Sequence, residues 1–345
     1  MAYTTINKSS LNMNTKLYNG TGSNQSITGV GFKPDWIWGK TRSSGQRYVL
    51  TDVVRGINKQ LASDSTAAET SYTNSFTAFG SDGFSVGTDN GTNMASQTQV
   101  AWNWLAGGSQ GSSNTDGSIN TTYTSVNTTA GFSISQYTGT GSAGATFGHG
   151  LGSKPAMIIF KCLSVAGPSW VVYHQSKGAT YTLYLDQTSA GGASAEMLNN
   201  TEPTSSLITL GNGTSSNSSA PTIAYCFAEK QGYSKFGSYI GNGNADGPMI
   251  YTGFKPAFVM VKNTSATANW GIIDNKRPGY NQSDKVLKPN TAEVEATGWG
   301  YHDLLSNGFK MRGTDVAMNA SGNTYIYMAF GQTLVGTNNV PNNAF

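Results

Sequence analysis

The carboxylates are the first place to look for chemistry. Hydrolysis of a glycosidic bond needs two carboxyl groups flanking one bond. Two pairs are candidates, Asp52 with Glu69 and Asp274 with Glu293. Nothing around either pair signals a raised pKa, so both read as solvated loop carboxylates. The histidines His149, His174 and His302 do not have the spacing of metal ligands, and no His-Glu-x-x-His occurs. Cys162 and Cys226 are too few for a disulfide scaffold, and both lie in apolar, strand-like runs where buried free thiols are expected. Gly20-Thr21-Gly22 lacks the strand–glycine–helix context of a dinucleotide site, and neither a Gly-x-Ser-x-Gly elbow nor a phosphate-binding loop is present. Asp89-Asn90-Gly91 and Asp116-Gly117 lack the spacing of a calcium-binding EF-hand loop. The residues therefore predict no catalytic, cofactor-binding or metal-binding site.

One basic stretch stands out: Lys40, Arg42, Arg47, Arg55 and Lys59 against the single acid Asp52. It could touch an anionic glycan, nucleic acid or a neighbouring subunit, but a solvated strand-loop-strand face is the simpler reading. Over the whole chain 21 Lys+Arg oppose 18 Asp+Glu, a net charge of +3 on 345 residues. That field is too weak to indicate a nucleic-acid partner. The first residues have no apolar core of a secretory signal, and no run of roughly 18 apolar residues could span a membrane. Synthesis in the cytoplasm without export by the standard route is the expectation.

The elements that would hold these residues read as strands. Gly numbers 43, aromatics are 11% and charged residues 11%, less than half of the roughly 25% usual in soluble domains. Disorder is excluded by the aromatics, and long helices by the scarcity of Ala, Glu, Lys, Leu and Arg. Gly, Ser, Thr, Asn, Tyr, Val and Ile are residues of strands and tight turns, which predicts an all-β protein. Self-similarity is the strongest signal. Gly31-Phe32-Lys33-Pro34, Gly152-Ser153-Lys154-Pro155 and Gly253-Phe254-Lys255-Pro256 each open an apolar run. Tyr-x-Gly-x-Gly precedes each at Tyr18, Tyr137 and Tyr239, and a basic residue follows at Arg55, Lys177 and Arg277. Closing strands centre on Trp102, Tyr225 and Met328. Proline at a strand's opening position loses no ladder hydrogen bond. Asp82-Gly83 and Asn307-Gly308 mark hairpins, and Leu61 to Thr70 offers at most a helical turn. Trp36, Trp38, Trp102 and Trp104 read as core, because Ile, Met and Phe take the places of Trp36 and Trp38 in the other copies.

The expected organisation is three tandem homologous β-sandwich or jelly-roll-like units, each closing its own core. They lie at 14–110, 131–232 and 233–334, with an N-terminal arm at 1–13, a Gly/Ser-rich linker at 111–130 and a C-terminal tail at 335–345.

With Val54-Arg55-Gly56, Asp82-Gly83-Phe84, Lys235-Phe236-Gly237-Ser238-Tyr239, Gly253-Phe254-Lys255-Pro256 and Asp274-Asn275-Lys276-Arg277, the sequence resembles the Gly/Ser/Thr/Asn-rich tandem-repeat, tail-fibre-like virion proteins of tailed marine bacteriophages. The resemblance runs from about Lys16 to Phe330. Asn103 departs from it where Cys226 and Ala329 stand, and Gly39 interrupts the first apolar run. It implies a structural or adhesive virion part without enzymatic activity, and it carries over no catalytic residues. Other virion proteins, a host-surface glycan and further copies of the chain are the implied partners. A trimer suits a fibre, though no heptad or collagen period fixes the number. A head-decorating or tail-scaffold protein and a polysaccharide-active enzyme are the alternatives.

Overall fold

The computed structural model describes residues 4–298 and 300–333, and these are all-β apart from two four-residue helices, Asn90–Asn93 and Thr214–Asn217, and a short 3₁₀ turn at Ser9–Leu11. Leu61 to Thr70 holds no helical turn.

Three main sheets share one strand order. In the first, a leading strand (Met13–Asn19) pairs with a closing strand (Thr98–Trp104), which pairs with the strand after Lys-Pro (Trp36–Thr41) and then a return strand (Val49–Asp52). The second repeats this order with Phe132–Thr138, Pro221–Phe227, Met157–Cys162 and Val171–His174. The third uses Ser234–Ile240, Thr324–Thr333, Phe254–Asn263 and Gly271–Asp274. The registers match: Trp36 opposes Trp104 and Trp38 opposes Trp102, as Met157 opposes Phe227 and Ile159 opposes Tyr225, and Phe258 opposes Phe330 and Met260 opposes Met328. Pro34 and Pro155 precede their strands, whereas Pro256 lies inside its strand at a shift of register.

Side chains on a strand alternate between faces, and here both faces are covered. Trp36, Trp38, Trp102 and Trp104 point into a central core together with Met157, Ile159, Tyr225, Phe227, Phe258, Met260, Met328 and Phe330. The intervening residues Ile37 and Ala101, Ile158 and Phe160, and Val259 and Val261 face three smaller, separate clusters. Each outer cluster lies under a small sheet, such as that of Gln25–Thr28, Gly83–Val86 and Phe76–Gly80. The expectation that each unit closes its own core is therefore corrected. The outer half of each core is private, but the inner half is common to all three sheets. The rings interlock directly, with Trp36 stacked on Tyr225 at 4.5 Å and Trp104 edge-on to Phe258 at 5.4 Å between centroids. Gly39 is explained by this packing, since a Cβ there would meet the Phe76 ring at 2.8 Å.

The stretch read as a linker is folded. Tyr123–Asn127 forms a strand on the outer edge of the second sheet, against Phe132–Thr138. A Cβ on Gly111 would meet the Thr124 carbonyl at 1.9 Å, so glycine here admits a close backbone approach. The expected tail at 335–345 lies outside the described residues. At the other end, Ser9 donates its backbone N–H to the Gln332 side chain at 3.0 Å, and Gln332 donates back to the Asn7 carbonyl at 2.8 Å. This fastens Asn7 and Ser9 to the closing strand of the third sheet.

Candidate functional site

The polar residues singled out in the sequence converge on the seams between the main sheets. The return strand of each sheet ends in Asp52, His174 or Asp274, and these reach the closing strand of the next sheet in cyclic order. Asp52 accepts a hydrogen bond from the Tyr225 hydroxyl at 2.7 Å. Asp274 accepts one from the Trp102 indole nitrogen at 2.9 Å. At the remaining seam, His174 Nε2 lies 3.0 Å from the Tyr327 carbonyl oxygen. There the closing strand presents Met328, which offers no strong donor, and histidine replaces aspartate.

Each aspartate is neutralised by the arginine three residues on, whose backbone N–H and guanidinium both reach it. Arg55 Nε lies 2.5 Å from Asp52 and its Nη1 3.2 Å from Glu69. Arg277 Nε lies 2.6 Å from Asp274 and its Nη1 3.1 Å from Glu295. The arginine side chains are 1% and 0% exposed. A buried charge persists only when paired and hydrogen-bonded. Burial alone would raise the Asp274 pKa, but Arg277 and the Trp102 indole outweigh it and hold it below the ordinary carboxylate value. Burial pushes the Tyr225 phenol far up. The carboxylate pair Asp52 and Glu69 is thus bridged by one guanidinium, with no room between the groups for a substrate bond. The third-sheet pair is Asp274 with Glu295. Glu293 instead meets Lys288 on the surface at 2.7 Å. Lys177 is not in a buried tie and lies over the Tyr181 ring at 4.1 Å.

A second set of ties runs through lysines. Lys40, Lys161 and Lys262 are each almost fully buried. Lys40 donates to the Gln46 carbonyl and, across the seam, to that of Ala292 at 3.0 Å. Lys161 reaches Pro168 at 2.6 Å and, across its seam, Thr66 at 3.0 Å. Lys262 reaches Ala268 and, across its seam, Thr188 at 2.8 Å. Burial lowers all three pKa values: Lys40, opposed by Asp64, to about 8; Lys161, opposed by Asp186; and Lys262 to about 7. Asn290 stands on the third sheet where Asp64 and Asp186 stand on the others, bonding Trp270 N–H as Asp64 bonds Tyr48 N–H. That exchange leaves Lys262 without a carboxylate.

The basic stretch does not form a patch. Lys40 and the Arg55 side chain are buried, Arg42 pairs with Glu295 at 2.8 Å and the half-exposed Lys59 with Glu69 at 3.5 Å, and Arg47 is exposed. The three histidines are separate, and burial lowers each to about 4. Among the described residues no group of three His, Cys, Asp or Glu is placed to hold a metal ion. No described helix is long and apolar enough to cross a membrane. Both cysteines are buried and free.

The Tyr-x-Gly-x-Gly landmarks form a further repeated lock. Tyr18, Tyr137 and Tyr239 donate to the carbonyls of Thr92, Ser216 and Met318, at 2.6, 2.5 and 2.6 Å. The next residues, Asn93, Asn217 and Asn319, accept the backbone N–H of Thr21, Thr140 and Asn242 and donate to Gly87, Gly211 and Gly313. These asparagines escaped the sequence reading. Their signal is position, since each precedes its closing strand by four or five residues. Pro34, Pro155 and Pro256 are buried at matching places.

The chain matches the family described as Domain of unknown function (DUF7483) over residues 8–333, and it belongs to that family. No curated protein matches the chain, and no solved structure does.

Proposed function

We propose that this member of the DUF7483 family is a non-catalytic virion protein of a tailed bacteriophage. In this reading it is a tail-fibre or appendage part, built from three homologous β-sandwich units in tandem, and it contributes to attachment at the host surface. Copies of the chain, assembled as a homo-oligomer beside other virion proteins, turn weak contacts into avidity. The tandem-unit reading is supported by the common strand order, the matching registers and the cyclic seams.

The observation that carries the non-catalytic reading is the Asp52–Arg55–Glu69 bridge. The first of the two carboxylate pairs considered for hydrolysis grips one buried guanidinium and joins two sheets. Such groups stabilise an assembly and are unavailable as acid and base.

Immunogold imaging of intact particles with antibody to this chain tests the location, with label expected on tail appendages. Label on the head would favour the decorating or scaffold alternative, and absence from the particle would end the virion reading. Arrays of marine and bacterial polysaccharides test attachment and are expected to show binding without release of reducing ends. Turnover on any of them would establish the enzyme alternative.

A further inference from the structure

In the second unit one segment closes two sheet edges at once. The small sheet there consists of Thr146–Gly148 and Leu207–Thr209. Ile119 donates its backbone N–H to the Thr146 carbonyl at 2.8 Å, and Thr122 donates to the Gln136 carbonyl of the leading strand at 2.6 Å. The Ile119 side chain joins the outer core of that unit. The segment then runs on as Tyr123–Asn127, paired along the leading strand. An uncovered edge is a template for a further strand, and proteins either close it or use it for recognition. The third unit has no closing segment, because its leading strand, starting at Ser234, follows the strand ending at Phe227 through one short loop.

Two strand edges therefore lie open near each other on the third unit. One is the leading strand, Ser234–Ile240. The other is Met249–Tyr251, the outer strand of a small sheet completed by Gly308–Met311 and His302–Leu305. Lys235 of the first lies 5.5 Å over the Tyr251 ring of the second. Phe236 turns its backbone groups away from the closing strand, where Glu229 accepts its N–H at 2.8 Å and Gln175 donates to its carbonyl at 2.7 Å. Ser238 and Ile240 point the same way, and their backbone groups have no partner among the described residues. On the small sheet the Pro248 carbonyl accepts the Met311 N–H at 3.1 Å, so Met249 and Tyr251 point outward and are likewise unpaired among the described residues. The carbonyls of Ser238 and Met249 occupy the places of Gln136 and Thr146. Gln175 follows the return strand of the second sheet, so the open edge continues directly from a seam already made.

The side chains at this edge differ from those of the other units. Met249 faces Lys310, as Ser26 faces Ser85 and Thr146 faces Thr209. Tyr251 faces Gly308, as Thr28 faces Gly83 and Gly148 faces Leu207. Ile240 follows Tyr239 as Asn19 follows Tyr18 and Thr138 follows Tyr137. The fold needs no large apolar side chain at these places, yet Met249 is 42%, Tyr251 53% and Ile240 65% exposed. Apolar groups gathered at an open edge are the mark of an interaction surface. We propose that this edge of the third unit docks a short, extended, uncharged segment of a partner protein, in the manner of Ile119 to Thr122. Its backbone donors reach the Met249 and Ser238 carbonyls, and its side chains lie against Met249, Tyr251 and Ile240. Glu229 and Gln175 end the pairing at Phe236. The docking surface is independent of the attachment reading, since it rests on the chain's own edges wherever the protein resides.

The test is NMR titration of the full, isotope-labelled chain with a synthetic peptide of the sequence of residues 117–124, the chain's own edge-closing segment. Amide shifts are expected at Ser238, Ile240, Met249 and Tyr251. The double variant Met249→Ser, Tyr251→Thr takes the residues that the first unit carries as Ser26 and Thr28. It is expected to weaken binding about tenfold or more, with circular dichroism verifying the fold. A peptide with Thr122→Pro lacks the second donor and is expected to lose affinity to the same degree on the unaltered chain, which decides the matter if the double variant does not fold. Absence of shifts at the four residues, or affinity indifferent to both changes, would overturn the proposal. So would self-association of the free chain that the double variant abolishes and the peptide does not displace, because the occupant would then be a second copy.

Discussion

Asp35 shows how one side chain marks where the first copy of the Lys-Pro motif departs from the others, which have Ala156 and Ala257. Its Oδ2 accepts the backbone N–H groups of Ala106 at 2.8 Å and Gly108 at 2.7 Å, pinning the chain where it leaves the first sheet. Burial raises its pKa to about 6, with the two N–H groups and Lys33 opposing. The folded state then holds a proton that the unfolded state releases, so stability falls as pH rises from about 3.8 through 6. Asp35→Asn keeps an oxygen acceptor for both N–H groups without the buried charge. We expect it to gain about 1–3 kcal/mol at pH 7 and to remove that slope, measured by urea unfolding across pH. A loss of stability at pH 7 would show that the charge itself is needed for the two bonds.

The seam ties act between elements, and Arg277 is the informative one to remove. Arg277→Met leaves Asp274 buried beside Glu295 with Trp102 as its remaining side-chain donor. The expected cost is about 3–5 kcal/mol, read from the shift in urea midpoint, and a cost below about 1 kcal/mol would mean that the tie is idle. Strands, hairpins and the Lys-Pro landmarks were legible in the sequence because apolar runs and Asn-Gly or Asp-Gly turns are local signals. The partner of Arg277 was not. Glu293 and Glu295 differ by two positions in an irregular loop, and only the docking of that loop beside Arg42 selects Glu295. The common core was hidden for a related reason. Runs such as Trp36-Ile37-Trp38 are apolar on both faces, and sequence does not tell a face covered by its own outer sheet from one covered by a neighbour. The linker was misread because Gly and Ser there serve close backbone packing, a use that composition does not separate from flexibility.

On the scale of the molecule, a core drawn from three sheets makes stability a collective property. We expect calorimetry of the full chain to give one transition, with calorimetric and van't Hoff enthalpies equal. Three resolved transitions would contradict the shared core. Acid should weaken the whole assembly. His149, His174 and His302 are each lowered to about 4, chiefly by burial, so the unfolded state takes up protons that the folded state refuses. Stability is fully present above about 6.5 and is lost as pH falls towards 4, by up to about 3 kcal/mol per histidine. Asp35, Asp64, Asp89 and Asp186, raised by burial, oppose this over part of the range, whereas Asp274, Glu202, Asp82 and Asp246, held below the ordinary carboxylate value, act with the histidines. A melting temperature that does not change between pH 7 and pH 4.5 would rule this out.

The fastening of Asn7 and Ser9 to Gln332 has a consequence for how the protein is made. Translation delivers roughly 5–20 residues each second, so the roughly hundred residues of the third sheet arrive over roughly 5–20 s, during which Trp102 and Trp104 lack the Phe258 and Phe330 rings that finally cover them. A ribosome-bound chain at that stage exposes the aromatic rings of an unfinished core. Those tryptophans need shelter until the third sheet has emerged and docked.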